Sequence, residues 1–149
     1  MKTFERIAME HWLGIASVED VERWAEAGLA EQPDDDVFST LVRGQRRKKL
    51  DTFWAYATQQ RGFEPVSEVG AREGLVILRA VASQVLRDER KVLEFCRIVL
   101  QFDASFVVSE HYPKELTGLY NACDWCDEEW SLSNQPQLRE QLERLVGTG

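Results

Sequence analysis

No other stretch says as much about the architecture as Glu73-Gly74-Leu75-Val76-Ile77-Leu78-Arg79-Ala80-Val81-Ala82-Ser83-Gln84-Val85-Leu86-Arg87. Wound at about 100° per residue, Leu75, Val76, Ile77, Leu78, Val81, Val85 and Leu86 point in almost every direction. The segment from Val92 to Phe102 behaves the same way through Leu93, Phe95, Ile98, Val99 and Leu100. A helix that is apolar all round belongs in the middle of a bundle. Asp88 is placed as an N-cap, and the tight Arg87-Asp88-Glu89 link makes the two helices antiparallel neighbours. The expectation is two central helices, over about 73–87 and 89–102.

Shorter amphipathic helices surround them. Phe4, Ile7, Ala8 and His11 recur at helical spacing until Gly14. Ser17 opens a second helix, where its hydroxyl can accept from the amide of Asp20 as in a capping box. Val18, Val21, Ala25 and Leu29 then form one apolar stripe with Trp24 at its edge. Gln32-Pro33-Asp34-Asp35-Asp36 reads as a turn and an acidic helix start, with carboxylates at the positive end of the helix dipole. That third helix carries Val37, Phe38, Leu41 and Val42 and closes at Gly44. A fourth follows Arg46-Arg47-Lys48-Lys49, carries Leu50, Phe53, Trp54 and Ala57, and stops at Gly62 and Pro65. Residues 103–112 read as a loop, in which Phe106-Val107-Val108 is apolar enough for a brief strand without a partner. Pro113 starts a helix running to about Trp130, and Ser133 or Asn134 caps a last one with Leu138, Leu142 and Leu145 as its stripe. The sum is an all-α bundle of about seven helices, with no solenoid repeat and no linker.

A chain of 149 residues predicts one domain, here 1–146, with 147–149 as a frayed tail. Its net charge of −8 disfavours nucleic acid and anionic membrane as partners, because phosphates attract the opposite sign. Charges recur through Glu10, so the first residues hold no apolar run of signal-peptide length. The longest nearly apolar run, Leu75 to Leu78, is far short of the roughly 20 residues of a membrane span. The expectation is a cytoplasmic protein with reduced thiols at Cys96, Cys123 and Cys126.

Few residues invite chemistry. Cys123-Asp124-Trp125-Cys126 supplies two of the four ligands of structural zinc, with Cys96, His111 and His11 at no familiar completing spacing. As a redox motif it lacks a βαβ context. Its plain reading is two small buried hydrophobes beside Leu116, Leu119 and Tyr120. Glu110 beside His111 is an acid–base pair without a nucleophile or metal motif. His11 lies on an apolar face and reads as a core histidine. Arg46 to Lys49 reads as a solvated helix start that balances nearby carboxylates. No catalytic residue, metal site or cofactor is expected.

Charge asymmetry is more informative. Residues 101–130 hold seven carboxylates (Asp103, Glu110, Glu115, Asp124, Asp127, Glu128, Glu129) against Lys114 alone, which is −6 of the −8. On a regular helix Trp125 lies about 180° from Leu116, facing outward between Glu128 and Glu129. An outward tryptophan ringed by carboxylates suits an interface that steers a basic partner. The alternative is that Trp125 packs under the His111 loop or the last helix. Asp127 falls inside the apolar arc, so either the helix ends early or Asp127 bonds a buried partner.

Val18-Glu19-Asp20-Val21-Glu22-Arg23-Trp24-Ala25, followed by Leu29 and an acidic loop, resembles small helical immunity proteins of bacterial polymorphic-toxin systems. The Leu119-Tyr120 to Trp130 segment with its acidic end is similar to the same group. The resemblance implies a cytoplasmic protein that binds one cognate toxin or effector domain and blocks its active site, with no catalytic residue of its own. The expected partner-binding residues are Asp124, Trp125, Glu128 and Glu129, with Asp34, Asp35 and Asp36. A helical adaptor or regulatory subunit with a housekeeping partner is the alternative.

Overall fold

The computed structural model describes residues 1–123 and 135–147. Its described residues are all helical apart from turns and connections, as the sequence predicts. They form eight α-helices: α1 (Phe4–Trp12), α2 (Val18–Glu31), α3 (Asp36–Arg43), α4 (Lys49–Ala55), α5 (Glu68–Arg87), α6 (Val92–Phe106), α7 (Glu115–Cys123) and α8 (Pro136–Gly147). Contacts gather into two compact units, Met1–Pro65 and Val66–Gly149.

The first unit holds α1 to α4. Thr3 caps α1 by accepting from the Arg6 N–H at 3.2 Å, and Ser17 caps α2 by accepting from the Asp20 N–H at 3.2 Å. α1 ends beside Gly14, and the turn that follows α4 ends beside Gly62; their φ angles of 79° and 63° suit a residue without a side chain. The helices bury Phe4, Ile7, Val21, Ala25, Phe38, Leu41, Phe53 and Ala57 together. Trp24, placed at a stripe edge by periodicity, is instead a hub. Its ring lies 5.2 Å from Phe38, 5.5 Å from Phe53 and 5.6 Å from Phe4. Aromatic pairs in these tilted and edge-on arrangements add to their area burial. The fourth helix does not run regularly to Gly62. It passes into a π turn over Tyr56–Gln60, where the Arg61 N–H reaches back to Tyr56 O at 3.1 Å.

In the second unit α5 packs on α6 and α8, and α7 packs on α6 and α8. α5 begins at Glu68, before the expected Glu73, because Ser67 supplies a cap by accepting from the Gly70 N–H at 3.1 Å. It is not buried all round. Gly70, Ala71, Gly74, Ile77, Leu78, Val81, Ala82 and Val85 make one broad buried face, while Val76 is exposed. Small residues on the face let a neighbouring helix approach closely, so the apolar surplus on the other side is left in contact with solvent. Asp88 does cap the following turn, accepting from the Arg90 N–H at 3.2 Å.

The expected loop over 103–112 starts later. α6 continues to Phe106, whose ring lies 5.0 Å from that of Phe102 one turn earlier. Both rings are fully buried, so the helix gains more by continuing than a strand without a partner would. Val107 and Val108 then lie out in solvent, at 63% and 94% exposure, and no strand forms there. Pro113 is buried and precedes α7, and Leu138, Leu142 and Leu145 are the buried stripe of α8 as expected.

Candidate functional site

The acidic start of α3 is built from three identical residue types that do different work. Asp35 is the N-cap: its Oδ1 accepts from Val37 N–H at 2.9 Å and Phe38 N–H at 3.1 Å. Asp34 and Asp36, on either side, are exposed. Phe38, in the first turn, is buried against Trp24 and holds this end of α3 on α2. The expected partner-binding trio thus resolves into one structural carboxylate and two that face water.

The basic run opposite them in sense is consumed in part within the same unit. The Arg46 guanidinium pairs with Glu19 and lies 3.3 Å from Glu22. Lys49, which the sequence reading placed at a solvated start, is buried. Its Nζ donates to Val42 O at 2.9 Å and lies 3.4 Å from Glu22. Burying an ammonium is costly unless it is paired and hydrogen-bonded, and here both conditions hold. Arg47 and Lys48 remain exposed.

A second ion network ties the N-terminal residues to α2. Lys2 Nζ lies 2.8 Å from the buried Glu10 and 2.7 Å from Asp20. Burial works against the Lys2 charge, yet hydrogen bonds to Asp20 and Glu10 hold its pKa above the ordinary lysine value. Burial likewise opposes the Asp20 carboxylate, but bonds from Lys2 and Ser17 hold it below the usual range. Sequence spacing gave no sign of this cluster, because its members are far apart along the chain.

The two histidines are placed differently. His11 stacks on Trp54, with ring centroids 4.8 Å apart and an angle of 11°. Desolvation there lowers its pKa, with Asp51 opposing. His111 sits 3.6 Å from an exposed Glu110 carboxylate. A cleft of about 350 Å³ between α7 and α8 is lined by Lys114, Glu115, Leu119, Gln141, Arg144 and Leu145, and neither Glu110 nor His111 lines it. Asp103 accepts a hydrogen bond from the Tyr112 hydroxyl; burial and that bond push the phenol up to about 12. Cys123 is buried as its apolar reading expects, and its Sγ faces that of Cys96.

Asp124, Trp125, Glu128 and Glu129, and Cys126 with them, lie outside the described residues. Among the described residues no three or more His, Cys, Asp or Glu side chains are grouped to hold a metal, and no helix is long and apolar enough to cross a membrane. Comparison with known proteins gives no match to a family model, a curated protein or a solved structure.

Proposed function

We propose that the chain is an immunity-type binding protein, which engages a basic toxin or effector domain through an acidic helical surface and blocks its active site. The observation that supports this best is the division of charge in the first unit. Arg46 and Lys49 are paired with Glu19 and Glu22, while Asp34 and Asp36 stay exposed at an anchored helix start. Arg47 and Lys48 stay exposed as well, so the pairing removes part of the basic run from the −8 that a partner meets. Acidic surfaces of this kind raise association rates with basic clefts and do so less at high salt. In this reading Asp124, Trp125, Glu128 and Glu129 are further partner-binding residues, with Trp125 as an apolar anchor.

The test is capture with a tagged full-length chain from the source cells, washed at moderate salt, with bound proteins identified by mass spectrometry. The expected result is one basic toxin-like domain, bound one to one with a salt-sensitive on-rate and no turnover. Recovery of a housekeeping complex in its place overturns the immunity reading in favour of an adaptor. Given a recovered toxin-like domain, unchanged affinity of Trp125→Ala and of Glu128→Lys/Glu129→Lys by calorimetry removes the 124–129 surface from the proposal.

A further inference from the structure

Cys96 and Cys123 meet within the second unit. Cys96 lies on the buried face of α6 with Val92, Phe95 and Val99, and Cys123 ends the buried stripe of α7 after Leu116 and Leu119. Both side chains are buried, at 1% and 0% exposure. Their sulfur atoms stand 2.7 Å apart. Burial alone accounts for two small apolar side chains in a helix interface. It does not account for sulfurs this close, since even non-bonded carbons settle at about 3.5–4.0 Å. A disulfide needs about 2.05 Å between the same atoms. The remaining closure is a fraction of an ångström between two packed helices.

We propose that Cys96 and Cys123 are an oxidisable pair, closing to an intramolecular disulfide between α6 and α7 when hydrogen peroxide is present. One thiol gives up its proton and attacks a peroxide oxygen. The O–O bond breaks, water leaves, and that sulfur becomes a sulfenic acid. The second sulfur then gives up its proton and attacks the sulfenic sulfur, whose hydroxyl leaves as the second water. Two thiols and one peroxide thus yield one disulfide and two waters. Peroxide is small and uncharged, which suits a pair shielded from larger oxidants. Thiol–disulfide exchange with a small dithiol reverses the step. Closure pins the residue that immediately precedes Asp124 and Trp125 in the chain to α6.

The experiment treats the reduced, full-length chain with hydrogen peroxide, quenches it with an alkylating agent under denaturing conditions, and maps peptides without reduction. The expected product is a monomer that carries one alkyl group, on Cys126, where the untreated control carries three, with Cys96 and Cys123 peptides joined and dithiothreitol restoring both thiols. A Cys126→Ser variant keeps the bond, and a Cys96→Ser variant loses it. Three results overturn the proposal: a bridge between Cys123 and Cys126, a bridge between two chains, or complete alkylation of Cys96 and Cys123 after peroxide. Because mapping in the wild-type chain and in Cys126→Ser already discriminates among these, the test survives a Cys96→Ser variant that fails to fold.

Discussion

Replacing Gly74 by alanine tests the packing of α5 on α6 directly. A Cβ built at Gly74 stands 1.7 Å from Cε2, 2.3 Å from Cζ and 2.7 Å from Cδ2 of Phe102. Phe102 is fully buried and has the Phe106 ring tilted against it at 5.0 Å, so the ring has little open space to move into. Two effects compete. Alanine gains about 1 kcal/mol of helix propensity over glycine in a helix interior. Overpacking a well-filled core costs about 1–3 kcal/mol, and the depth of this overlap places it at the top of that range. Gly74→Ala should therefore lose about 2 kcal/mol net, which lowers the urea midpoint by about 1 M for a slope near 2 kcal/mol/M. Trimming the ring should relieve the overlap. Phe102→Leu is destabilising alone, but in the Gly74→Ala background the two losses should sum to less than their separate costs, with a coupling of at least about 0.5 kcal/mol. Equilibrium urea unfolding of the four proteins, followed by circular dichroism, measures all of this. A Gly74→Ala midpoint at or above wild type refutes the close approach, and strict additivity refutes the assignment of the overlap to Phe102.

The acidic start of α3 should separate by role: Asp35→Ala should cost about 1 kcal/mol of stability as a lost cap, with no dependence on salt, whereas Asp34→Lys/Asp36→Lys should cost about 0.5–1 kcal/mol at low salt through the helix dipole, fading as salt rises, and slow association with a basic partner in stopped flow. His11 has a folded pKa below its ordinary 6.5, chiefly through desolvation. The unfolded chain therefore takes up a proton first as pH falls, so His11 costs stability from about pH 6.5 downward until its folded pKa is passed; comparing urea midpoints of wild type and His11→Phe between pH 7.5 and 5.5 isolates that contribution. Tyr112 has the opposite sense for an acid, because its folded pKa of about 12 lies above the ordinary 10.0. The unfolded phenol loses its proton first, stability falls as pH rises from 10 toward 12, and Tyr112→Phe should flatten that limb in an alkaline unfolding series.

Helical periodicity carried most of the fold. The all-α class, the caps at Ser17 and Asp88, the glycine stops and the α8 stripe all follow from local spacing, and the structure repeats them. What periodicity could not show was the depth of each face. α5 looked apolar all round because Leu75, Val76 and Leu86 match its core residues in kind. The neighbours α6 and α8, with α6 close at Gly74, fix which side is buried. The same limit explains α6. Phe106 reads as a loop residue in a short apolar run with two valines, but packing against Phe102 makes it the last buried turn of a helix. The hub role of Trp24 was out of reach for a related reason, since its ring partners come from α1, α3 and α4.

The candidate surface was less legible, and the reason lies in the chemistry of carboxylates. Asp34, Asp35 and Asp36 are the same side chain three times, and composition assigns them one role. The backbone assigns two, because only the residue at the cap position points its oxygen at the free amides of the first turn. Glu19 and Glu22 show the same effect from the other side. In sequence they are the polar face of an amphipathic helix, and in space they hold Arg46 and Lys49. A formal charge of −8 therefore does not describe what a partner meets. Carboxylates that cap helices or neutralise buried lysines act at short range inside the fold, and salt screens them little. Those left exposed, such as Asp34 and Asp36, set the field at a distance of about a Debye length and respond to salt fully. If a partner is drawn by charge, its on-rate should follow the second group and be indifferent to the first. That distinction, which no count of acidic residues contains, is the physical content of calling this face a binding surface.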